Sequence, residues 1–535
     1  MKKYILTVFA FTALVSCTGS FLDKNTNHEN ASDEMMTWDG LTTGSAFSQM
    51  TRNVIPSYQV SGDEDYGTTF YQQSEDLQGS LFARYSGVVR SDWHYNNQYD
   101  ITGIGWYEIM FTDAYTRVIS PWEELDAVRD EFPGEVALGD ILKVATMQRV
   151  TDTYGPIPYL QIGSGAVTMQ YDSQEIVYRK FFEELGSAID VLTGLYLAQP
   201  AVKLMESYDN VFSGQVSQWL KFANTLRLRL AMRVVYADEN LAMSQAEAAL
   251  ANPAGLLSSA NDVVALHKPV SGAWVHPIYA IQYEYNDACA GATIEAYMNC
   301  YKDPRISKYF VAGSDGEFHG VRNGINLTET YRSSKLLSKA NAAVFDDLVW
   351  TKPAEACFLE AEYWLRKGND AKAKECYENG IRISFETEGA SGVDSYITNS
   401  TDIVDAYTDV ISSSNSWQRQ LTDVTVAWQS SDSFEKNLER IITQKYIAIY
   451  PAGQEAWSEF RRTGYPKVIP YSVNKSNGTI DTNLQIRRLN YPSSEYRTNN
   501  ANVQAAISTL NEETLSTGKG DNGGVRLWWD RNPRF

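Results

Sequence analysis

Apolar residues recur at three- and four-residue steps through four separate stretches of this chain, the spacing of helices that bury one face. In 107–154 the pattern takes in Ile109, Tyr115 and Val118, then Leu138, Ile141, Leu142, Ala145 and Val150, and Pro133-Gly134 marks the turn between two helices. The stretches 181–197 and 216–236 predict two more. In the second, Leu220, Ala223, Leu226, Leu230 and Val234 form one stripe, with Arg227, Arg229 and Arg233 interspersed. Those arginines are expected to pair or to snorkel rather than to bind a ligand. The stretch 434–463 predicts a further helical pair.

The stretch 353–386 carries the clearest repeat. Ala361 and Trp364 precede Gly368-Asn369, and Ala373, Tyr377 and Gly380 follow, a spacing that resembles a tetratricopeptide repeat. Small residues let two antiparallel helices approach while the aromatics fill the groove between them. Together the four stretches predict a mainly α fold, a superhelix of about four such hairpins. Between them, 56–105, 254–335, 390–430 and 464–535 lack steady periodicity and are rich in Gly, Ser, Asn, Tyr and Trp. Loops this long in a compact protein are functional or disordered, and their aromatic content argues against disorder. They are expected to form a second layer that carries the binding surface, with 40–535 as a single domain.

The N-terminus changes the picture. Lys2 and Lys3 precede an apolar run over 4–14, and Leu14-Val15-Ser16-Cys17 follows. This resembles a bacterial lipoprotein signal peptide, with cleavage before Cys17 and acylation of that cysteine. A bilayer span needs about 20 apolar residues, so the run is too short to be a membrane helix. Residues 1–16 are therefore expected to be removed, and the polar stretch 17–39 to act as a flexible lipidated tether. The formal charge of −20 repels phosphates and excludes a nucleic acid partner. Cys289, Cys300, Cys357 and Cys376 permit a bond between Cys357 and Cys376 or four free thiols.

Chemical motifs are mostly missing. The chain has no HExxH, GxGxxG, P-loop or GxSxG pattern, its five histidines are scattered, and no catalytic residue, cofactor or transition-metal site is expected. Asp63-Glu64-Asp65 offers oxygen ligands for calcium but reads equally as a solvated acidic loop. The 518–524 run, Gly518-Lys519-Gly520-Asp521-Asn522-Gly523-Gly524, is expected to be a terminal loop rather than a phosphate cradle, because Asp521 would repel phosphate. With 33 Tyr and 13 Trp, however, the chain is well supplied with flat rings that have one polar edge, a chemistry that suits the C–H faces and hydroxyls of sugars. The densest supply is 91–100, where Trp93, Tyr95 and Tyr99 sit among Asn96, Asn97, Gln98 and Asp100. A second aromatic run contains Trp274, Tyr279, Tyr283 and Tyr285, of which Trp274 and Tyr283 are the expected exposed rings, and Tyr279 the expected core one. Arg84 and Arg322 could grip hydroxyls or a carboxylate through their planar forks.

Seven ordered segments resemble one known family, the SusD/RagB nutrient-binding outer-membrane lipoproteins. The first runs from Ala145 through Tyr154-Gly155-Pro156-Ile157-Pro158-Tyr159, and the second spans Lys221-Phe222-Ala223-Asn224 to Leu226-Arg227-Leu228-Arg229-Leu230-Ala231. Gln444-Lys445-Tyr446-Ile447-Ala448, Gln454-Glu455-Ala456-Trp457 and Arg461-Arg462-Thr463-Gly464-Tyr465-Pro466 follow. Arg488-Leu489-Asn490-Tyr491-Pro492 and Trp528-Trp529-Asp530 extend the likeness to the C-terminus. Trp93 and Asn96 are similar to the family's starch-binding WxxN element. The resemblance implies a helical-hairpin scaffold and an oligosaccharide ligand held without catalysis. It also implies delivery to a SusC-like TonB-dependent β-barrel, over which the lipoprotein sits as a lid at the cell exterior. Peptide uptake on the same scaffold, or a lipid-anchored glycoside hydrolase, are the alternatives. The motif residues themselves are expected to be architectural, with prolines fixing turns, Trp457 and Tyr446 packing, and arginines satisfying helix ends.

Overall fold

The computed structural model describes residues 40–56, 66–93, 95–101, 105–166, 168–268, 274–344 and 346–535. The signal peptide, Cys17, the tether, the acidic triplet at 63–65 and His94 lie outside the described residues. As expected, the protein is mainly helical. The helices that organise it are α1 (Leu41–Asn53), α2 (Ser120–Asp126), α3 (Pro133–Tyr154), α4 (Gln174–Ala198), α5 (Val216–Val234), α6 (Glu239–Ala251), α7 (Ala354–Arg366), α8 (Asp370–Thr387), α9 (Phe434–Ala448) and α10 (Gly453–Thr463). Side-chain caps start four of them. Ser173, Asp238, Asn369 and Ser433 each accept a hydrogen bond from a backbone N–H of the first turn, satisfying a donor the helix itself cannot.

Helices occupy all four predicted stretches, but their partners differ from the simple hairpin expectation in three places. Pro133 is the first residue of α3 rather than a turn residue, a position where its missing N–H costs nothing. The helices α4 and α5, read as one pair in 181–236, belong to successive pairs, with α4 packing mainly on α3 and α5 on α6. Helix α6 escaped the periodicity reading because its buried stripe is only Ala242, Ala246 and Ala249. The consecutive helices α9 and α10 also separate, α9 lying on α7 and α10 on a π-helical segment, Gln72–Ser80. Two glycines permit that last crossing. A Cβ on Gly79 would sit 2.5 Å from the Gln454 nitrogen, and one on Gly453 would sit 2.3 Å from the Ser80 nitrogen.

The 353–386 repeat packs as its spacing requires. Ala361, Ala373 and Tyr377 are buried between α7 and α8, and Gly380 meets the Phe358 ring so closely that a Cβ there would lie 2.9 Å from it. Cys289, Cys300, Cys357 and Cys376 are all free thiols.

A buried charge network ties five helices together. From α5, Arg233 reaches Asp152 of α3 at 3.3 Å, and Glu455 and Glu459 of α10 at 2.5 and 2.9 Å. Lys445 of α9 lies 3.4 Å from Glu355 of α7, 3.2 Å from Glu455 and 3.3 Å from Glu459. Arg462 bridges Glu362 at 2.6 Å and Glu459 at 2.7 Å, and Arg229 joins Glu355 at 2.6 Å. Of the arginines of α5, Arg229 and Arg233 therefore pair, as expected, and Arg227 donates to Gln245 at 2.8 Å. Arg462 binds carboxylates of the network instead of closing a helix end, whereas Arg461, which lies on the Trp457 ring at 3.6 Å, donates to the Asp152 carbonyl and Arg488 donates to the Tyr154 carbonyl at 3.0 Å, so these two close the end of α3 as expected. Trp457 and Tyr446 are core residues, as expected.

Burial disfavours the ionised form of Glu362, but Arg462 and Arg366 outweigh it and hold the carboxyl below its ordinary value of 4.5. Its stabilising effect is thus complete above that value and is lost as pH falls through the lower folded one. The gap in denaturation midpoint between the wild type and Glu362→Gln is expected to be wide at neutral pH and to narrow below about pH 4.5. Chemical denaturation of both proteins from pH 7 to pH 3 checks this, and a gap constant to pH 3 would contradict it.

Among the described residues three short antiparallel ribbons complete the irregular layer: β1 (Ser86–Val88) with β3 (Ala288–Ala290), β2 (Val264–Leu266) with β6 (Leu348–Thr351), and β4 (Phe310–Val311) with β5 (Lys339–Ala340). The first of these positions the site. Ser86 pairs with Ala290 and Val88 with Ala288, so the chain leaving β1 and the chain entering β3 lie side by side. The 518–524 run is a terminal loop in which Asp521 accepts from Arg488 at 2.5 Å and from Tyr496 at 2.7 Å.

Candidate ligand platform

The β1–β3 ribbon brings the two aromatic runs of the sequence to one end. Beyond β1, the Val89 N–H donates to the Asp287 carbonyl at 3.0 Å, and Asp287 immediately precedes β3. The Arg90 guanidinium stacks on the Trp93 ring at 4.5 Å, donates to Asp92 at 2.9 Å and approaches Asp287 at 3.4 Å. Gln72 of the 72–80 π-helix holds the other Asp287 oxygen at 3.1 Å. One arginine and one carboxylate thus fix the two loops to each other.

On this support, Trp93 and Tyr95 both stand edge-on to Trp106, with ring centroids 5.2 and 5.7 Å away and interplanar angles of 72° and 70°. All three rings are half-buried, so each keeps surface toward solvent while its neighbour fixes its orientation. Gln78 donates to the Trp106 carbonyl at 3.0 Å and anchors the third ring to the π-helix. Trp106 was missed in the sequence because it lies beyond the decapeptide. The signal was present in the aromatic pair Trp106-Tyr107 directly after Gly103-Ile104-Gly105.

The second run contributes a stacked pair. Tyr279 and Tyr283 lie 5.1 Å apart at 20°, across a helical turn that passes into the π-helix Ala280–Glu284. Tyr283 is 36% exposed, donates its hydroxyl to the Ala340 carbonyl at 2.8 Å and has the Lys339 ammonium 5.1 Å over its ring. Tyr279, expected in the core, is only half-buried. Lys339 also donates to Asn286 at 3.0 Å, and Arg332 lies 3.6 Å from Asp287, which links the tyrosine pair to the tryptophan cluster through charge. π-Helical turns are rare and recur beside functional sites, and two of them flank this one.

The remaining expected contacts turn inward. Asn96 is buried and donates to the Leu77 carbonyl at 2.5 Å, so it serves as a brace and not as a ligand contact. Tyr99 is buried in a stack on Tyr471 at 4.2 Å. Arg84, 1% exposed, donates to the Leu81 and Phe82 carbonyls at 3.1 Å, bonds Gln485 and covers the Tyr471 ring at 4.2 Å. Arg322 donates to the Pro470 carbonyl at 2.8 Å and to that of Asn415 at 3.2 Å. Trp274 is 5% exposed and its indole N–H donates to the Asp346 carbonyl at 3.0 Å. A common cause explains four of these corrections, those at Asn96, Arg84, Arg322 and Trp274. Irregular backbone leaves its carbonyls without ladder partners, and buried ones draw donors from nearby amides, guanidinium groups and indoles.

The acidic groups near the platform are also engaged. Burial raises the Asp287 carboxyl above its usual range while Gln72 and Arg90 pull it back, and the Arg90 hydrogen bond lowers Asp92. Burial pushes the adjacent Asp76 carboxyl up to about 7, and at 5% exposure it has no open path to a ligand. Among the described residues no group of three or more His, Cys, Asp or Glu side chains is placed to hold a metal ion. Among them, too, no helix is long and apolar enough to cross a membrane.

Solved structures similar to this one share its architecture over 92% of the chain. A chitin-binding SusD homolog from Flavobacterium johnsoniae is 35% identical and superposes with a TM-score of 0.84, over 92% of this chain and 100% of that one. A SusD homolog from Bacteroides uniformis is 34% identical, with a TM-score of 0.83 over 92% of this chain and 99% of the other. One from Bacteroides thetaiotaomicron is 36% identical at a TM-score of 0.79, with the same coverage. No curated protein matches the chain. The SusD-like family model, described as Susd and RagB outer membrane lipoprotein, matches residues 23–530, and the chain belongs to that family.

Proposed function

We propose that this protein captures a glycan on the Trp93–Trp106–Tyr95 cluster and its Tyr283 neighbour, without catalysis, and passes it to a SusC-like TonB-dependent barrel. One observation carries the reading: Trp93 and Tyr95, both braced on Trp106, and Trp106 itself are half-buried and keep solvent-facing surface at the end of the β1–β3 ribbon. Such rings match the C–H faces of sugars, and Arg90, stacked on Trp93, and the exposed Asp92 that it bonds stand beside them to meet hydroxyls. A binding role is favoured over hydrolysis because Arg90 bonds Asp92 and also reaches Asp287, whereas glycosidase chemistry needs two free carboxyls about 5–9.5 Å apart across a sugar. The chitin-binding relative supports the carbohydrate class.

In this reading Cys17 carries the lipid anchor, 17–39 is the tether, and 40–535 is one domain facing the cell exterior. Binding is expected to be weak, because ordering a flexible sugar offsets much of the contact energy. Calorimetry and gel retardation with chitin, cellulose, starch and xylan oligosaccharides are expected to give micromolar to millimolar binding with at least one of them. Response to peptides and to none of the glycans would overturn the carbohydrate class.

A further inference from the structure

A cleft of about 620 Å³ lies beside the Tyr279–Tyr283 turn. Ile278 and Ala340 line it, but Trp93, Tyr95, Trp106 and Tyr283 do not, so it is separate from the platform. The volume falls in the middle of the range of about 300–1,000 Å³ typical of small-molecule sites. Tyr309, Tyr450 and Val349 of β6 give it an apolar side, the two tyrosine rings packing 4.9 Å apart. Gln215, Asn261 and Asn341 face it with exposed amides, each able to donate and to accept.

Most of the charged groups in the cleft already have partners. Lys352 donates to Glu388 at 2.5 Å, and His267 meets Asp347 at 2.7 Å. Asp346 accepts from the Ala343 N–H at 2.7 Å. Three carboxylates, Asp346, Asp347 and Glu388, face two ammonium groups, Lys308 and Lys352, while burial pushes the His276 imidazole down to about 4 and keeps it neutral. Even with His267 protonated the lining has no positive excess, so an anionic ligand gains nothing there. Peptide capture through charge would need a pocket dominated by one sign, yet the carboxylates and cations of the lining nearly balance. What remains is a cleft with an apolar side and a rim of neutral donors and acceptors.

We infer that this cleft is a second binding site, for a neutral saccharide segment, whose apolar side packs against sugar C–H faces while Gln215, Asn261 and Asn341 bond hydroxyls. The inference rests on the reading of the protein as a glycan binder and assigns it a site apart from the aromatic platform. Detergent-solubilised full-length protein would be titrated calorimetrically with chitohexaose, cellohexaose, maltohexaose and xylohexaose. Asn341→Trp and Gln215→Trp, both at exposed lining positions, would fill the cleft, and Trp106→Ala would disable the platform. The expected result is two binding events for the wild type with a saccharide that binds. One is weakened by about tenfold or more in either cleft variant, and the other only in Trp106→Ala. Binding unchanged in both cleft variants would overturn the second site while leaving the platform standing. A single event lost in the cleft variants and kept in Trp106→Ala would support the cleft and overturn the platform. Silence toward all four saccharides would overturn both.

Discussion

Replacing Glu459 by alanine is expected to destabilise the protein by about 3–5 kcal/mol, the cost of leaving buried charges without their partner. Glu459 meets three cations, Arg233 at 2.9 Å, Lys445 at 3.3 Å and Arg462 at 2.7 Å, and none of the four side chains is more than 4% exposed. Burial alone would drive its carboxyl to stay protonated. The facing Arg462, Lys445 and Arg233 reverse this and hold it well below the usual carboxylate range. Without it, three positive groups from three helices face one another with only Asp152, Glu355, Glu362 and Glu455 at their outer sides. Glu459→Gln keeps an acceptor and should cost less. Urea denaturation followed by far-UV circular dichroism measures both. A loss under about 1 kcal/mol for the alanine variant would mean that water enters and solvates the cations, as at an exposed ion pair.

Trp106→Ala is expected to weaken glycan binding by about 2 kcal/mol, roughly 30-fold, with little change in the denaturation midpoint. Trp106 is the ring against which both Trp93 and Tyr95 stand, so its removal loses one contact surface and frees two others to rotate. Trp93→Ala should cost less, since Tyr95 and Trp106 still brace each other. The order of the two losses separates a braced platform from independent rings: equal effects would show that Trp106 contributes only its own surface. Near-UV circular dichroism confirms that the fold persists in both variants.

Much of the scaffold was legible because its rules are local. The stripe Leu220, Ala223, Leu226, Leu230 and Val234 specifies a buried helix face wherever it occurs, and the small residues of 353–386 specify a close helix pair. Helix partners were less legible. Nothing near 434–463 states that α10 will lie on the 72–80 π-helix, because the crossing needs Gly79 and Gly453, 374 positions apart, to meet. The candidate site divides in the same way. Trp93, Tyr95 and Tyr283 were recognised from local aromatic density and remain at the surface. Asn96, Tyr99, Trp274, Arg84 and Arg322 carried the same local chemistry but are consumed by carbonyls and rings contributed from elsewhere in the chain.

The sequence by itself determined the family, the helical class and the kind of surface this protein displays, since ordered motifs, periodicity and residue type are properties of short segments. Only the tertiary structure decided which rings face solvent, that the two aromatic runs meet across β1 and β3, and that among the motif arginines Arg229 and Arg462 join a charge network while Arg461 and Arg488 close the end of α3. Exposure and pairing depend on which distant groups arrive to satisfy a buried donor or carbonyl, and that arrival is set by the packing of the whole chain.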